Sequence, residues 1–499
     1  MTKYVSYIIY IFCAIALTSC SGVSRIDGSR VDLTETMKDS VVYLQISTGG
    51  YEQSQPWKSK SLAEGWACAC AVGEYEVITT ADKVANLAFI KALRFGQNKF
   101  ISAKLKVVDY QTNLCLIQLD PNELSKPLVP LKFSENFQKG AEVDCCWLSP
   151  DSTLYNARGY FDRVNVRQTQ TSYEQHLQYV IANASSRTSS GELFCIGSTP
   201  IGIACWSNTD NEVGLIPAEI INKFLNAEKD NNYEGLGNVG FAISELIDPT
   251  MRKFLKMPES LDDGVYIADV YNLGTGSELL KKGDCLLSID GNILDSYGRF
   301  QHPKYGRLSF DHLITGKKTG ENIQFTIWRD GAKSEIRTAI KSFDASEMLV
   351  PYHEYDKQPK YIITAGFVFQ KLTLEYLMEF GRNVAGDAPS HLYHYYRDLA
   401  FKPAEERKDI VVLSYVLPSE YNLGYTGLGQ MVVSTYNGMK ISSIKDILNA
   451  QKLNPESQYD VVEFELVTPT LVISRRQLLA ADAFTSTIYG ITKLSNIAQ

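Results

Sequence analysis

The 499 residues include 49 Lys and Arg against 57 Asp and Glu, a formal net charge of -8, with 44% hydrophobic and 21% charged positions. This is the composition of ordinary globular protein, with length for roughly three domains of the usual size. The acidic balance and the lack of any Lys/Arg run exclude the basic footprint of a nucleic-acid binder.

Lys3 and the apolar segment 5–17 have the form of a secretory leader, the segment being too short to span a bilayer. It ends in Leu17-Thr18-Ser19-Cys20, which resembles a bacterial lipobox. The resemblance implies acylation of Cys20 and an exported protein of the bacterial cell envelope, anchored to a membrane and facing the periplasm or the exterior. A plain signal peptide with a chance Cys is the alternative. Residues 1–20 are read as leader and 21–35, polar with Gly22 and Gly28, as a tether.

Short β-rich runs separated by turn residues begin at 40–47, SVVYLQIS, and continue at 66–72, 76–80, 101–108 and 114–119, predicting a first barrel. Runs at 142–148, 179–184, 195–196 and 201–207 predict a second. Seven of the eight cysteines after Cys20 lie in this region, mostly inside apolar strand patterns, and read as small buried hydrophobes. Cys68-Ala69-Cys70 is not a zinc spacing, so no metal or cofactor is expected and no pairing is assigned. Pro217 precedes an apolar-periodic helix over 218–225, and the polar, Gly-bearing 226–237 reads as a linker. Beyond it come a strand at 264–270, an amphipathic helix at 308–315 and a hairpin at 323–340. Asp290-Gly291, Asp330-Gly331 and Asn437-Gly438 are turn dipeptides that favour positive φ.

Three stretches of the first half share a resemblance. Residues 184–194, ASSRTSSGELF, are similar to the GNSGGP loop of the HtrA/Deg family of trypsin-fold serine proteases, with Ser190 at the nucleophile position. YEVITTADKV at 75–84 resembles that family's ILTNAHVV turn, and DYQTNLCLIQLD at 109–120 its DPETDLALLKID. In this alignment Asp82 stands where the family has its catalytic His, and Asn113 where it has its catalytic Asp. GDCLLSIDGNIL at 283–294 resembles the GDVILSVDGKPI of a Deg-type PDZ domain, with Val239-Gly240-Phe241 as its carboxylate-binding loop. LVPY at 349–352, AGFVF at 365–369 and the run 411–425 resemble the divergent second PDZ of the plant-type Deg branch.

The resemblance implies a mainly β fold: a trypsin-like double β-barrel over 36–228, then two PDZ-like α+β domains over 236–345 and 346–499. It also implies a homo-oligomer, a trimer or a multiple of trimers. The chemistry it implies is incomplete. A Ser hydroxyl needs a base, which His supplies and Asp orients. A carboxylate, with its usual pKa near 4, is a weak base toward a Ser hydroxyl, and losing the base is worth about 10⁶ in kcat. Lys83, beside Asp82, is expected to face away from the site, and His176 to lie on the surface or at a strand edge. The oxyanion loop, Thr188, Ser189 and Gly191, has Thr188 where the family has a permissive Gly, and Glu192 follows where it has a second Gly.

Function is then expected from binding. An extended peptide or polypeptide C-terminus would add beside the strand after Val239-Gly240-Phe241, with Phe241, Ile243, Leu313 and Ile314 lining a side-chain pocket, or forming domain core. The expected role is a pseudoprotease in envelope protein quality control, a holdase, scaffold or regulator, with active HtrA/Deg relatives among its possible partners. The alternatives are a serine endopeptidase using Ser190 with a non-standard base, and a structural adaptor acting through its PDZ domains.

Overall fold

The computed structural model describes residues 33–135, 138–184, 189–229, 234–466 and 470–497. The leader, the acylation candidate Cys20, nearly all of the tether and Thr188 lie outside the described residues.

After a short helix α1 (Leu33–Met37) come six strands, β1 (Val41–Thr48), β2 (Ala63–Ala71), β3 (Glu76–Thr80), β4 (Leu87–Arg94), β5 (Ile101–Asp109) and β6 (Leu114–Leu119). They close into a barrel in the order β1-β2-β3-β6-β5-β4. Six more, β7 (Glu142–Leu148), β8 (Leu154–Gln168), β9 (Gln175–Ala182), β10 (Leu193–Ile196), β11 (Thr199–Ser207) and β12 (Val213–Pro217), close a second barrel along the same path, β7-β8-β9-β12-β11-β10. Closure leaves neither barrel with an open edge.

The continuous apolar runs follow from where the barrels meet. Along β1, Val42, Leu44 and Ile46 fill the first barrel, while Val41 and Tyr43 point the other way into a core shared with the second. On β2, Ala67, Ala69 and Ala71 face in and Cys70 faces the shared core. Alternation of period two therefore serves two cores, and both faces of these strands are apolar. All eight cysteines of the described residues are buried free thiols. Strands β4, β8 and β12 were not expected. β8 hides its strand pattern because its outward face carries Asn156, Arg158 and Asp162 and it holds a bulge at Phe161/Arg163.

Helix α2 (Ala218–Lys229) buries Ile220, Ile221 and Phe224 and closes the double barrel. A second sheet then follows in the order β13 (Phe241–Ser244), β14 (Val265–Val270), β15 (Cys285–Ile289), β19 (Asn322–Arg329), β20 (Ala332–Ala339), with β16 (Asn292–Ile293) paired to β15. Asp290-Gly291 and Asp330-Gly331 turn with positive φ as their residue types require. The segment 308–315 is not one helix: β17 (Arg299–His302) pairs with β18 (Gly306–Ser309), and only α4 (Asp311–Thr315) is helical, α3 being Pro249–Phe254.

The last sheet runs β21 (Tyr361–Thr364), β22 (Phe367–Lys371), β23 (Val411–Val416), β24 (Met431–Tyr436), β26 (Tyr459–Phe464), β27 (Leu471–Ser474), with β25 (Met439–Lys440) beside β24. Helices α5 (Leu374–Met378), α6 (Val384–Asp387), α7 (Ser390–Leu399), α8 (Lys445–Gln451) and α9 (Leu478–Tyr489) pack around it. The whole is mainly β, a trypsin-like double barrel followed by PDZ units. Among the described residues no helix is long and apolar enough to cross a membrane.

Candidate functional site

Asp82 sits on a single 3-10 turn, Ala81–Lys83, that ends β3, and Asn113 precedes β6. Pairing of β3 with β6 sets Thr80 opposite Leu114, so the two loops meet. Asn113, buried and at φ 60°, accepts the Ala81 N–H on its carbonyl at 3.1 Å and the Asp82 N–H on Oδ1 at 2.8 Å. Its side chain thus holds backbone rather than a ring. Asp82 Oδ2 lies 3.1 Å from Lys83 Nζ, and Asp82 Oδ1 is buried with no hydrogen-bond partner among the described residues. Lys83 therefore does not face away as expected: its long stem folds back onto the carboxylate beside it.

Ser190 lies across the groove between the barrels, its carbonyl accepting the Cys68 N–H at 2.7 Å. Gly191 has φ 87°, and a Cβ there would stand 2.2 Å from the Cys68 carbonyl oxygen and 2.3 Å from Thr79 Oγ1. Only glycine fits. Glu192, 1% exposed, turns back so that its Oε2 accepts the Ser190 N–H at 2.7 Å. Burial pushes its carboxyl up to about 7 against the pull of the Ser190, Glu192 and Ser189 N–H groups and of Lys83. Its Oε1 has no partner among the described residues. In an oxyanion hole the nucleophile's N–H must be free to meet the developing charge. Here it is already bound to a carboxylate.

Among the described residues no imidazole is hydrogen-bonded to Ser190. His176 is not at the surface: it is 2% exposed on β9, with neither ring nitrogen partnered among the described residues. Burial, with His312 and Lys223 nearby, holds its ring down to about 3. The chain brings another histidine to the rim of the first barrel. Asp356 exchanges hydrogen bonds with Asn86, at 2.6 Å and 3.0 Å, and Tyr355 packs on Tyr110 at 4.2 Å. This lays 352–357 beside the Asp82 turn, with His353 Nδ1 2.8 Å from Glu375 Oε1. No local pattern near His353 foretells that docking.

Of the residues expected to take peptide, Val239, Phe241 and Ile243 line a cavity of about 550 Å³, with Phe310, Tyr271 and Phe401 opposite. A Cβ on Gly240 would be 2.5 Å from the Thr275 carbonyl oxygen, which keeps the loop tight. Leu313 and Ile314 do not line the cavity. Ile314 is fully buried in the domain core and Leu313 packs against that core, because α4 starts three residues later than expected and turns this face inward. His312 points at the barrel domain, where burial holds it down to about 4 beside Glu219, Lys223 and His302.

Residues 350–493 match the PDZ domain family. The chain is 26% identical over 440 residues to protease Do-like 2, chloroplastic, of Arabidopsis thaliana, covering 86% of this chain and 70% of that one. To protease Do-like 4, mitochondrial, of the same organism it is 24% identical over 398 residues, covering 79% and 73%. These similarities support an HtrA/Deg-type protease with a PDZ domain. Among solved structures, the HtrA-type protease AlgW with decapeptide aligns with a TM-score of 0.47 at 17% identity, over 62% of this chain and 98% of that one. Asp82 and Asn113 meet through the Asp82 N–H, and Gly191, beside Ser190, is pressed against Thr79 on the strand that ends at the Asp82 turn.

Proposed function

We propose that this chain is an exported, lipid-anchored HtrA/Deg-type pseudoprotease of the plant-type branch that binds unfolded polypeptides or C-terminal peptides and does not cut them. The observation that carries the reading is the Glu192 carboxylate on the Ser190 N–H. An acyl transfer at Ser190 would need that N–H for the oxyanion; a carboxyl oxygen already occupies it and, when ionised, opposes the charge that develops there. The histidine is missing as well: among the described residues no imidazole is hydrogen-bonded to Ser190. Asp82 pairs with Lys83, and Asn113, a neutral amide, offers no charge to an imidazolium.

What remains is a rigid double barrel with PDZ grooves, suited to a holdase, scaffold or regulator of envelope protein quality control. Acylation at Cys20 would hold it at the membrane, and a trimer or multiple of trimers, alone or mixed with active relatives, would present several grooves at once.

The test is a fluorescently labelled, unfolded casein offered to wild type and Ser190→Ala. Binding by both with no release of fragments is the expected result. The second reading, a serine endopeptidase using Ser190, is favoured by the relatives being proteases; cleavage by wild type and not by Ser190→Ala would establish it.

A further inference from the structure

In each PDZ unit a backbone N–H beside a glycine is taken by an internal acid. In the first, Asn238-Val239-Gly240-Phe241 is the loop that leads into β13; in the last, Ala365-Gly366, at φ 49° and 84°, is the two-residue turn of the β21–β22 hairpin. Each glycine is pressed against a carbonyl: a Cβ would stand 2.5 Å from the Thr275 oxygen at Gly240 and 2.6 Å from the Leu417 oxygen at Gly366. In a loop like that of the first unit, backbone N–H groups receive a ligand's terminal carboxylate. In the first unit Val239 N–H donates to Glu174 Oε1 at 3.1 Å, and in the last Ala365 N–H donates to Asp482 Oδ1 at 2.7 Å. The acids come from different places, one from the lead into β9 and the other from α9.

Glu174 is held firmly. It is 3% exposed, and its Oε1 also accepts from Asn238 Nδ2 at 3.0 Å. Thr315 Oγ1 donates to the Gln175 carbonyl at 2.7 Å, and the Tyr173 ring stacks on Phe343 at 5.6 Å and meets Phe401 edge-on at 4.8 Å. The cavity beside it remains open along Phe241, Ile243 and Phe310. The side-chain end is thus a cavity, walled also by Tyr396 and Phe401 of the last domain, while its carboxylate end is taken.

We propose that Glu174 is an internal carboxylate ligand of the first PDZ loop, and that a free polypeptide C-terminus with an apolar last residue gains that site only by displacing Glu174. This deepens the peptide-binding reading and rests on it. A carboxylate tethered in the same chain acts at an effective concentration of about millimolar or more, which a dissolved peptide must overcome. The internal acid thus sets a threshold for occupancy of the groove.

The experiment uses the full chain and labelled decapeptides with apolar last residues, as free acids and as amides, read by fluorescence anisotropy. Glu174→Ala is expected to bind the free acids more than about tenfold tighter than wild type, with no gain for the amides. Hydrogen exchange at the Val239 amide, protected in wild type and in Glu174→Gln, should quicken in Glu174→Ala. Equal affinities of wild type and Glu174→Ala for the free acids, no binding by either, or an unchanged Val239 amide would overturn the proposal. Casein binding by wild type run alongside separates the two failures. If casein binds and Glu174→Ala changes nothing, only the internal ligand is refuted; if casein does not bind, the peptide-binding reading itself falls.

Discussion

Replacing Glu192 by Gln keeps an oxygen for the Ser190 N–H and removes the titrating group. The wild-type carboxyl is raised from its usual 4.5 to about 7, chiefly by burial. A carboxyl raised on folding contributes stability that is complete below its unfolded value and is lost as pH climbs through the folded one. That displacement corresponds to about 3 kcal/mol at pH 8, since one unit is 1.36 kcal/mol. The amide's own effects do not depend on pH. The stability gap between Glu192→Gln and wild type should therefore move by about 3 kcal/mol in favour of the variant between pH 4 and pH 8. Urea unfolding followed by Trp fluorescence measures it, with Trp147 and Trp206 in the second barrel. A gap that stays constant across that range would refute a Glu192 carboxyl buried in this loop and raised to about 7.

Asp82→His alone should restore no hydrolysis, because Glu192 still holds the Ser190 N–H and Asn113 cannot steady an imidazolium. Asp82→His with Asn113→Asp and Glu192→Gly should be the first combination to cleave a casein probe above background. Gly191→Ala, at φ 87° and with two oxygens within 2.3 Å of the new Cβ, should lower the unfolding midpoint by the equivalent of roughly 2 kcal/mol or more. His176 and His312 are held near 3 and 4, below the usual value of 6.5, by burial first. Their contribution is present above pH 6.5 and lost as pH falls through that value toward 4. Amides of α4, packed on the barrel beside Glu219, Lys223 and His302, should therefore exchange faster at pH 4.5 than at pH 7, after correction for intrinsic rates.

The sequence makes strands legible wherever both faces bury, as in β1 and β2, since an unbroken apolar run leaves little else. It hides β8, whose charged outward face and bulge break the pattern, and it merges β18 with α4, because LSFDHLIT is apolar at either period. Asp82, Asn113 and Ser190 were singled out by resemblance to family motifs, and the structure joins the first two through the Asp82 N–H and Asn113 Oδ1. The direction of the Glu192 side chain was not, because a charged residue in a loop gives no sign of turning inward until its N–H partners are placed. Glu174 was less readable still, lying 65 residues from the Val239 N–H that it accepts. Contacts of that range are set by how domains dock, and the local sequence carries no period for them. The docking of 352–357 on Asn86 and Tyr110, which brings His353 to the rim, belongs to the same class.

The most direct test of the central claim is intact mass after incubation with a fluorophosphonate, which reports an activated Ser190 without needing a substrate. No adduct is expected on wild type under conditions where trypsin is fully labelled, and no difference from Ser190→Ala. An adduct on wild type that maps to Ser190 and disappears in Ser190→Ala would contradict it and make this chain a serine hydrolase with a base other than histidine at position 82.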